Sequence, residues 1–452
     1  MHTNSFLSAK AFFESGKTLD LFFRKKALES LKNWILKNES LIAESLEKDL
    51  DKSAFEAYMT EVGIALSELS FVSKKFPKWM KKQKAKTPTS LFPAKSYVLP
   101  RPYGVCLIFS PWNYPFLLAV EPLISAIAAG NAVVLKPSLK SKNVAEVLVK
   151  LSKEALPEGL LQVEIGDHDV ADNLLEDPFN MIFFTGSPKI GKHVMEMASH
   201  HLIPVVLELG GKSPCIVSRT ANLALAAKRI AFGKLINAGQ TCVAPDYVYA
   251  DLSIKSELEA LLVEEFKAYA PDGAKTKDFP KIIDAQHLSR LQNLVQGEKI
   301  LCGGNAIGNK LAPTVLANVS FESPVMQEEI FGPVLPILAY KTEAEMIAKL
   351  KTFPRPLALY LFGRDEELEK RIFRELHFGG ATINDTLMHI ASSDIPFGGV
   401  GDSGMGNYHG EAGFRAFSHY ESVLDRGIWC DFKFRYPPFS EWHYKLLKFF
   451  LR

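Results

Sequence analysis

VCLIFSPWNYPFLLAVEPLISAIAAGNAVVLK, residues 105–136, places one short apolar run, VCLIF (105–109), before a second, AVVLK (132–136), with a helical stretch between them. The rhythm continues through LQVEI (161–165), MIFFTG (181–186) and VVLELG (205–210). Strands that alternate with helices argue for a parallel sheet covered by helices, an α/β fold. The runs are apolar nearly throughout, as strands buried on both faces must be. Upstream, Leu19–Met80 is helical in pattern, with Leu28, Leu31, Trp34 and Ile35 at three- and four-residue steps and Lys and Glu on the opposite face. KKQKAKTPTSLFPAKSYVLPRP (81–102) is basic and proline-dotted with one β-like piece, SYVL, and reads as a linker or projecting arm. Downstream, a second α/β stretch runs from Cys215 to about Asp394, with a polar helix near Lys255–Tyr269 and strands at VLPIL (334–338) and Leu357–Phe362. Glycine-rich PFGGVGDSGMGNYHG (396–410) and an aromatic, basic tail close the chain.

At 452 residues the chain exceeds one ordinary core and divides into two or three domains at about 150 residues each. Hydrophobic residues at 47% and charged residues at 23% place it among soluble globular proteins. With 53 basic against 51 acidic residues, there is no electrostatic case for nucleic acid. The amino terminus lacks the basic start, apolar core and small-residue cleavage site of a secretory signal. Five scattered cysteines (Cys106, Cys215, Cys242, Cys302, Cys430) argue for a reducing, cytoplasmic setting and against a disulfide framework. None forms a CxxC pair, so no metal site is expected. The terminal YKLLKFFLR (444–452) is far shorter than the ~20 residues that span a bilayer. No integral membrane segment is therefore expected, and packing on a neighbouring subunit is favoured over lying on a membrane surface.

Several short motifs carry chemistry, and each also has a plain structural reading. In FGKLINAGQTC (232–242) a helical stretch stops at Gly239 and Cys242 follows, so a thiol can face a cleft with free backbone N–H groups around it. A lone cysteine after a helix is more often a packed core residue. In LELGGKSP (207–214) Glu208 interrupts an apolar strand, and burial there would raise its pKa as a base for water requires. It can equally be a strand-end residue facing solvent. In SPWNYPF (110–116) the Asn113 amide, stiffened by Pro111, Trp112 and Pro115, can donate to an oxyanion or simply cap a helix starting near Pro115. FFTGSPKIGKHV (183–194) runs from strand to Gly-Ser turn to helix, and the free N–H groups over Gly186–Gly191 make an anion site for a pyrophosphate. Its GxxxxG spacing is neither the familiar GxGxxG nor a P-loop, because Lys192 is followed by His193. AVVLKPSLK (132–140) puts Lys136 at the end of a buried strand, where doubly wound sheets collect ligands. QEEIFGPV (327–334) sets two carboxylates before Phe331, able to accept from ribose hydroxyls or to be a solvated strand end.

The joint order of these pieces decides between the readings. SPWN, KPS, FTGS, LELGGK, GQTC, EEIFGP and PFGGVGDSGMG follow one another as in the aldehyde dehydrogenase superfamily, and the resemblance covers essentially the whole chain. The chain start, the KPS, the RYPP near the end and the length resemble the class 3 branch, which acts on fatty and aromatic aldehydes. The resemblance implies a parallel-sheet, Rossmann-type NAD(P)-binding domain (1–80 and 103–207) and an α/β catalytic domain (208–394). It also implies a small β oligomerisation arm (81–102 and 395–426), a C-terminal tail (427–452) and a homodimer. It makes Cys242 the nucleophile, Glu208 the general base and Asn113 the oxyanion donor. It places Lys136, Gly186, Ser187, Pro188, Lys189, Ile190, Gly191, Glu329 and Phe331 on NAD or NADP, with Glu329 preferred to Glu328 because it stands directly before Ile-Phe-Gly. The implied reaction oxidises an aliphatic or aromatic aldehyde to the acid through a thioester, and Phe232, Ile236 and Tyr114 would form an apolar entrance for it. Rivals are an acylating, coenzyme A-dependent dehydrogenase, against which Glu208 argues, a redox-free thioesterase, and a catalytically silent binding protein. Many family members carry KPSE where this chain has Leu139, in KPSLK. Leucine neither bonds the adenosine ribose nor repels a 2′-phosphate, so Lys136 is expected to be free for that phosphate and NADP to be accepted.

Overall fold

The computed structural model describes residues 2–450. Val105–Ser110, Ala132–Pro137, Leu161–Val163, Met181–Gly186 and Val205–Leu209 are all strands, and LQVEI stops pairing at Val163. Across the sheet they run 205–209, 181–186, 105–110, 132–137, 161–163, all parallel, with Gly404–Met405 added antiparallel at the outer edge. Counted in chain order this is 3-2-1-4-5, the doubly wound arrangement, and its order reverses between Val105–Ser110 and Met181–Gly186. Ligands of such sheets bind at the carboxyl ends flanking that reversal. Ser110 and Gly186 therefore deliver the SPWN and TGSP loops into one crevice. The connecting helix, Leu117–Ala129, is buried on nearly every side, which its almost unbroken apolar sequence requires. It ends at Gly130, whose left-handed φ of 98° suits glycine.

A second sheet of seven strands follows the order 299–302, 314–317, 334–340, 247–251, 214–217, 358–362, 380–383, parallel except for its first strand. The expected arm is a three-stranded antiparallel sheet. SYVL extends to Ala94–Pro102, flanked by Gln83–Ala85 and by Ser418–Arg426 in register from Ser418 opposite Pro102 to Arg426 opposite Ala94. The tail forms a helix over Glu441–Phe450, and Leu451 and Arg452 lie outside the described residues. No helix among the described residues is long and apolar enough to cross a membrane.

The amino-terminal helices do more than cover the first sheet. Lys52 and Glu61 are fully buried and form an ion pair of 2.5 Å. The other Glu61 oxygen accepts the N–H groups of Phe116 and Leu117, at 2.9 and 3.2 Å, where the buried helix begins. Lys52 also donates to the Asn113 carbonyl at 3.3 Å, and its ammonium lies 4.1 Å from the centre of the Tyr114 ring. A buried ion pair is tolerable only when such hydrogen bonds complete both partners. Removing one partner strands the other. Glu61→Ala should lower unfolding stability by ~3–5 kcal/mol, because it leaves a buried ammonium and two backbone donors unpaired. Lys52→Met should cost less, since Glu61 retains its backbone donors. Denaturant midpoints of the two variants test this, and equal losses would show that the helix-start contacts contribute nothing.

Candidate active site

The Cys242 loop is shaped by a forced helix stop. The helix Leu223–Leu235 gives way to a tight turn in which Asn237 and Ala238 take left-handed φ values of 52° and 51°. Gly239 follows at φ 72°, and a Cβ there would lie 2.3 Å from the Gly332 carbonyl oxygen, so only glycine fits. Two consecutive non-glycine residues in this region cost on the order of 1–2 kcal/mol each, which the surrounding bonds must offset. Those bonds are present. Asn237 donates its side-chain amide to the carbonyls of Asn113 (2.8 Å) and Gln240 (3.2 Å), and Glu56 accepts the Asn237 N–H at 2.6 Å. The Asn113 amide donates to the Gln240 carbonyl at 2.9 Å. The Gln240 amide donates to the carbonyls of Asn237 and Lys281, both at 3.0 Å.

Cys242 is partly exposed and lies in the wall of two cavities, one of about 780 Å³ and one of about 220 Å³. Its pKa is pushed up to about 12, first by burial and then by the carboxyls of Glu329 and Glu208, against the N–H groups of Cys242 and Val243. Glu208 sits on a strand flanked on both sides, opposite Thr185 and Gly404. Both of its carboxyl oxygens are buried without a hydrogen-bond partner among the described residues, and burial holds its pKa well above the carboxylate range. Asn113, Glu208 and Cys242 all line the larger cavity.

The residues expected to contact a cofactor divide into two groups. Gly186, Ser187, Pro188, Glu329 and Phe331 line the larger cavity, and Lys136, Lys189, Ile190 and Gly191 are absent from its wall. Ser187 caps the helix Pro188–Ser199, with Pro188 in its first turn, so the free N–H groups of a twelve-residue helix face the crevice. Gly191 instead packs on the sheet, where a Cβ would lie 2.6 Å from Leu209 Cδ2. Lys136 is buried at its strand end and donates to the Gly166 carbonyl at 2.7 Å. It is thus partly engaged, where the expectation drawn from Leu139 had it free: it also donates to the Pro137 carbonyl at 3.5 Å.

Glu329 packs on Gly210, where a Cβ would lie 2.1 Å from its Oε2. Burial and then Asp246 push its pKa up to about 8, while the Gly211 N–H, Lys212 and Lys234 pull it down. Glu328 lines the same cavity and pairs with Arg290 at 2.8 Å. Phe331, itself at φ 51°, stands edge-on to Trp112 with ring centres 5.5 Å apart.

Several wall residues had no sequence assignment. His287 and Arg290, on the helix Ala285–Val295, hold the 327–334 loop: His287 Nε2 lies 2.8 Å from the Phe331 carbonyl, and Arg290 donates to the carbonyls of Glu329 and Ile330. Their three-residue spacing behind the Asp284 cap was a visible signal of a shared helix face. Lys212, paired with Asp246 at 2.5 Å, and Arg355 add positive charge to the same wall. The smaller cavity is lined mainly by apolar side chains, among them the three expected at an apolar entrance, Phe232, Ile236 and Tyr114. The Tyr114 hydroxyl lies 2.5 Å from Thr241 Oγ1.

Comparison with known proteins identifies the family. The model of the aldehyde dehydrogenase family matches residues 4–423. A 4,4'-diaponeurosporen-aldehyde dehydrogenase of Staphylococcus aureus is 44% identical over 99% of this chain and 98% of its own. A dimeric NADP-preferring aldehyde dehydrogenase of Canis lupus familiaris is 41% identical over 95% and 96%. Aldehyde dehydrogenase family 3 member A2 of Mus musculus is 42% identical over 98% and 93%. The solved substrate-bound state of Staphylococcus aureus AldH superposes with a TM-score of 0.97 at 43% identity, covering both chains completely. The chain belongs to the aldehyde dehydrogenase family, with family 3 members among its near relatives.

Proposed function

We propose that this protein oxidises aliphatic or aromatic aldehydes to carboxylic acids with NAD or NADP, through a thioester on Cys242. The observation that carries the reading is the position of Cys242 in the wall of both cavities. One cavity has the volume and the helix N-terminus that a dinucleotide needs, and the other has the apolar lining that an aldehyde chain needs. In the larger one, Gly186–Pro188 would hold the pyrophosphate, Glu329 the nicotinamide ribose and Phe331 the ring side. The dinucleotide, when bound, supplies the hydride acceptor. Cys242, once its thiol proton has passed to solvent, bonds through Sγ to the aldehyde carbon, and the Asn113 amide and the Cys242 N–H hold the oxyanion. With that acceptor bound, the adduct would become a thioester; Glu208 would take a proton from the water that cleaves it, releasing the carboxylic acid and the Cys242 thiolate.

The proposed division into a cofactor domain over 1–80 and 103–207 and a catalytic domain over 208–394 follows the two sheets except at its boundary, which falls inside the first-sheet strand Val205–Leu209. The paired strands of the arm suit an edge shared between two copies in a homodimer, and the setting proposed is the cytoplasm.

Cys242→Ala should abolish aldehyde oxidation while retaining cofactor binding, and near-normal turnover would exclude a covalent route. In the ligand-free protein, alkylation of Cys242 should be slow at neutral pH and accelerate toward a pKa of about 12. A plateau reached already near pH 8 would contradict that environment. Glu208→Gln should release one equivalent of reduced cofactor in a burst and then stall; loss of the burst as well would place Glu208 in thiol activation instead. The raised Glu208 pKa means that its base form appears only above the ordinary carboxylate range. The wild-type hydrolytic rate should therefore climb with pH there, and the climb should vanish in Glu208→Gln.

Cofactor choice turns on Leu139, which is half-exposed just beyond the Ala132–Pro137 strand and offers no carboxylate to a ribose. Lys140 pairs with Asp284 at 2.6 Å, and Lys136, which donates to the Gly166 and Pro137 carbonyls, keeps one N–H for a 2′-phosphate. A charge-assisted contact to a 2′-phosphate is worth ~1.5–3 kcal/mol, up to about a hundredfold. NADP should thus be accepted at least comparably to NAD, and Leu139→Glu should shift kcat/KM toward NAD. A wild-type NAD preference of about a hundredfold, unchanged by the substitution, would assign the choice to another residue.

A further inference from the structure

The buried helix Leu117–Ala129 carries one charged residue, Glu121, which is 4% exposed. Its side chain reaches the wall of the smaller cavity, the one that also contains Cys242. Facing it is His409, held at φ 74° with its ring stacked on Phe397 at 5.3 Å and edge-on to Tyr408 at 4.3 Å. His409 Nε2 lies 3.4 Å from Glu121 Oε2, yet the geometry makes no hydrogen bond between them. An ion pair buried in an apolar wall is destabilising unless its hydrogen bonds are completed. Holding the chain in place does not account for Glu121. The neighbouring loop is already anchored through Glu68, which accepts the Gly410 N–H at 2.7 Å. Burial disfavours the His409 imidazolium, but Glu121 and then Glu68 outweigh it, so the ring stays protonated to higher pH than an ordinary histidine. The pair thus presents one acceptor and one donor side by side, with hydrogen bonds to spare.

We infer that Glu121 and His409 form a polar subsite that recognises a hydroxyl group carried by the aldehyde substrate away from its carbonyl. A hydroxyl is both donor and acceptor: its O–H would donate to Glu121, and its oxygen would accept from His409 Nε2. The rest of the lining, including Met59, Ile64, Phe232 and Leu387, would take the hydrocarbon between the two ends. The substrate class is then an apolar aldehyde with a distal hydroxyl, a choice that rests on the aldehyde-oxidising reading of Cys242.

Two matched pairs of similar shape test this: 6-hydroxyhexanal against heptanal, and 4-(hydroxymethyl)benzaldehyde against 4-ethylbenzaldehyde. In the wild type, kcat/KM should favour the hydroxyl member by about tenfold or more in at least one pair, because its absence leaves buried polar groups unpaired. In Glu121→Leu that ratio should fall to about one or below. Glu121→Gln, which keeps the volume and one acceptor, should give an intermediate ratio and serves if the leucine variant does not fold. A ratio unchanged by either substitution, or a methyl member favoured in both pairs of the wild type, overturns the inference. If none of the four aldehydes reduces the cofactor, the aldehyde-oxidising reading itself fails and takes the subsite with it.

Discussion

The carbonyl oxygen of Asn113 is where three distant stretches of chain are tied together. It accepts from Lys52 of the amino-terminal helices and from Asn237 of the Cys242 loop, while the Asn113 side chain donates to Gln240 of that same loop. Lys52 can occupy that buried position only because Glu61 neutralises it, and Glu61 in turn fixes the first turn of the helix that follows Asn113. Each contact is modest, since a net hydrogen bond contributes about 1 kcal/mol. Their arrangement matters more than their sum. The left-handed backbone at Asn237 and Ala238 is unfavourable by itself, and without this knot the helix ending at Leu235 would be free to continue and carry Cys242 away from the junction of the cavities.

The electrostatics of the ligand-free site favour a protonated, unreactive thiol. Cys242 shares a poorly solvated space with Glu208 and Glu329, and negative charge on either carboxyl opposes a thiolate. The carboxyls are held back by the same burial, and Glu208 lacks any hydrogen-bond partner among the described residues that would stabilise its ionised form. Burial raises all three, and the two carboxyls raise the thiol further. A positive charge brought into the larger cavity would oppose all three shifts, since the largest cause of each is missing solvation. Reactivity would then depend on what occupies the cavity.

The strands of the first sheet were legible because burial on both faces leaves apolar runs with little other explanation. That Cys242, Glu208 and Asn113 share one cavity wall was legible through their order with the other motifs, and not one by one. Less could be read where polar residues are buried. Lys52 and Glu61 fall within a helical pattern whose charged residues read as a solvated face, and nothing local marks their full burial. Glu121 is hidden in the same way inside an apolar helix. Lys136 looked free because sequence shows the residue at the end of a strand but not the Gly166 carbonyl beside it. The arm was recognisable as extended, but its nine-residue partner, Ser418–Arg426, lies far along the chain, and pairing at that distance leaves no local trace.

The power of the motif order has a physical basis in the topology. In a doubly wound sheet every parallel strand delivers its carboxyl end to the same edge, and the chain must return through a helix before it can do so again. Asn113 follows the strand ending at Ser110, Ser187 follows the one ending at Gly186, and Glu208 lies near the end of the next. These three strands are neighbours in the sheet, so the loops they release converge although three α-helices and two strands lie between the first and the second, and one helix between the second and the third. A residue displaced by one position along a strand would point to the opposite face. The spacing between each motif and its strand is therefore constrained by sheet geometry, and the spacing between motifs by the length of the returning helix. That is why fragments with weak individual meaning became specific when they occurred together.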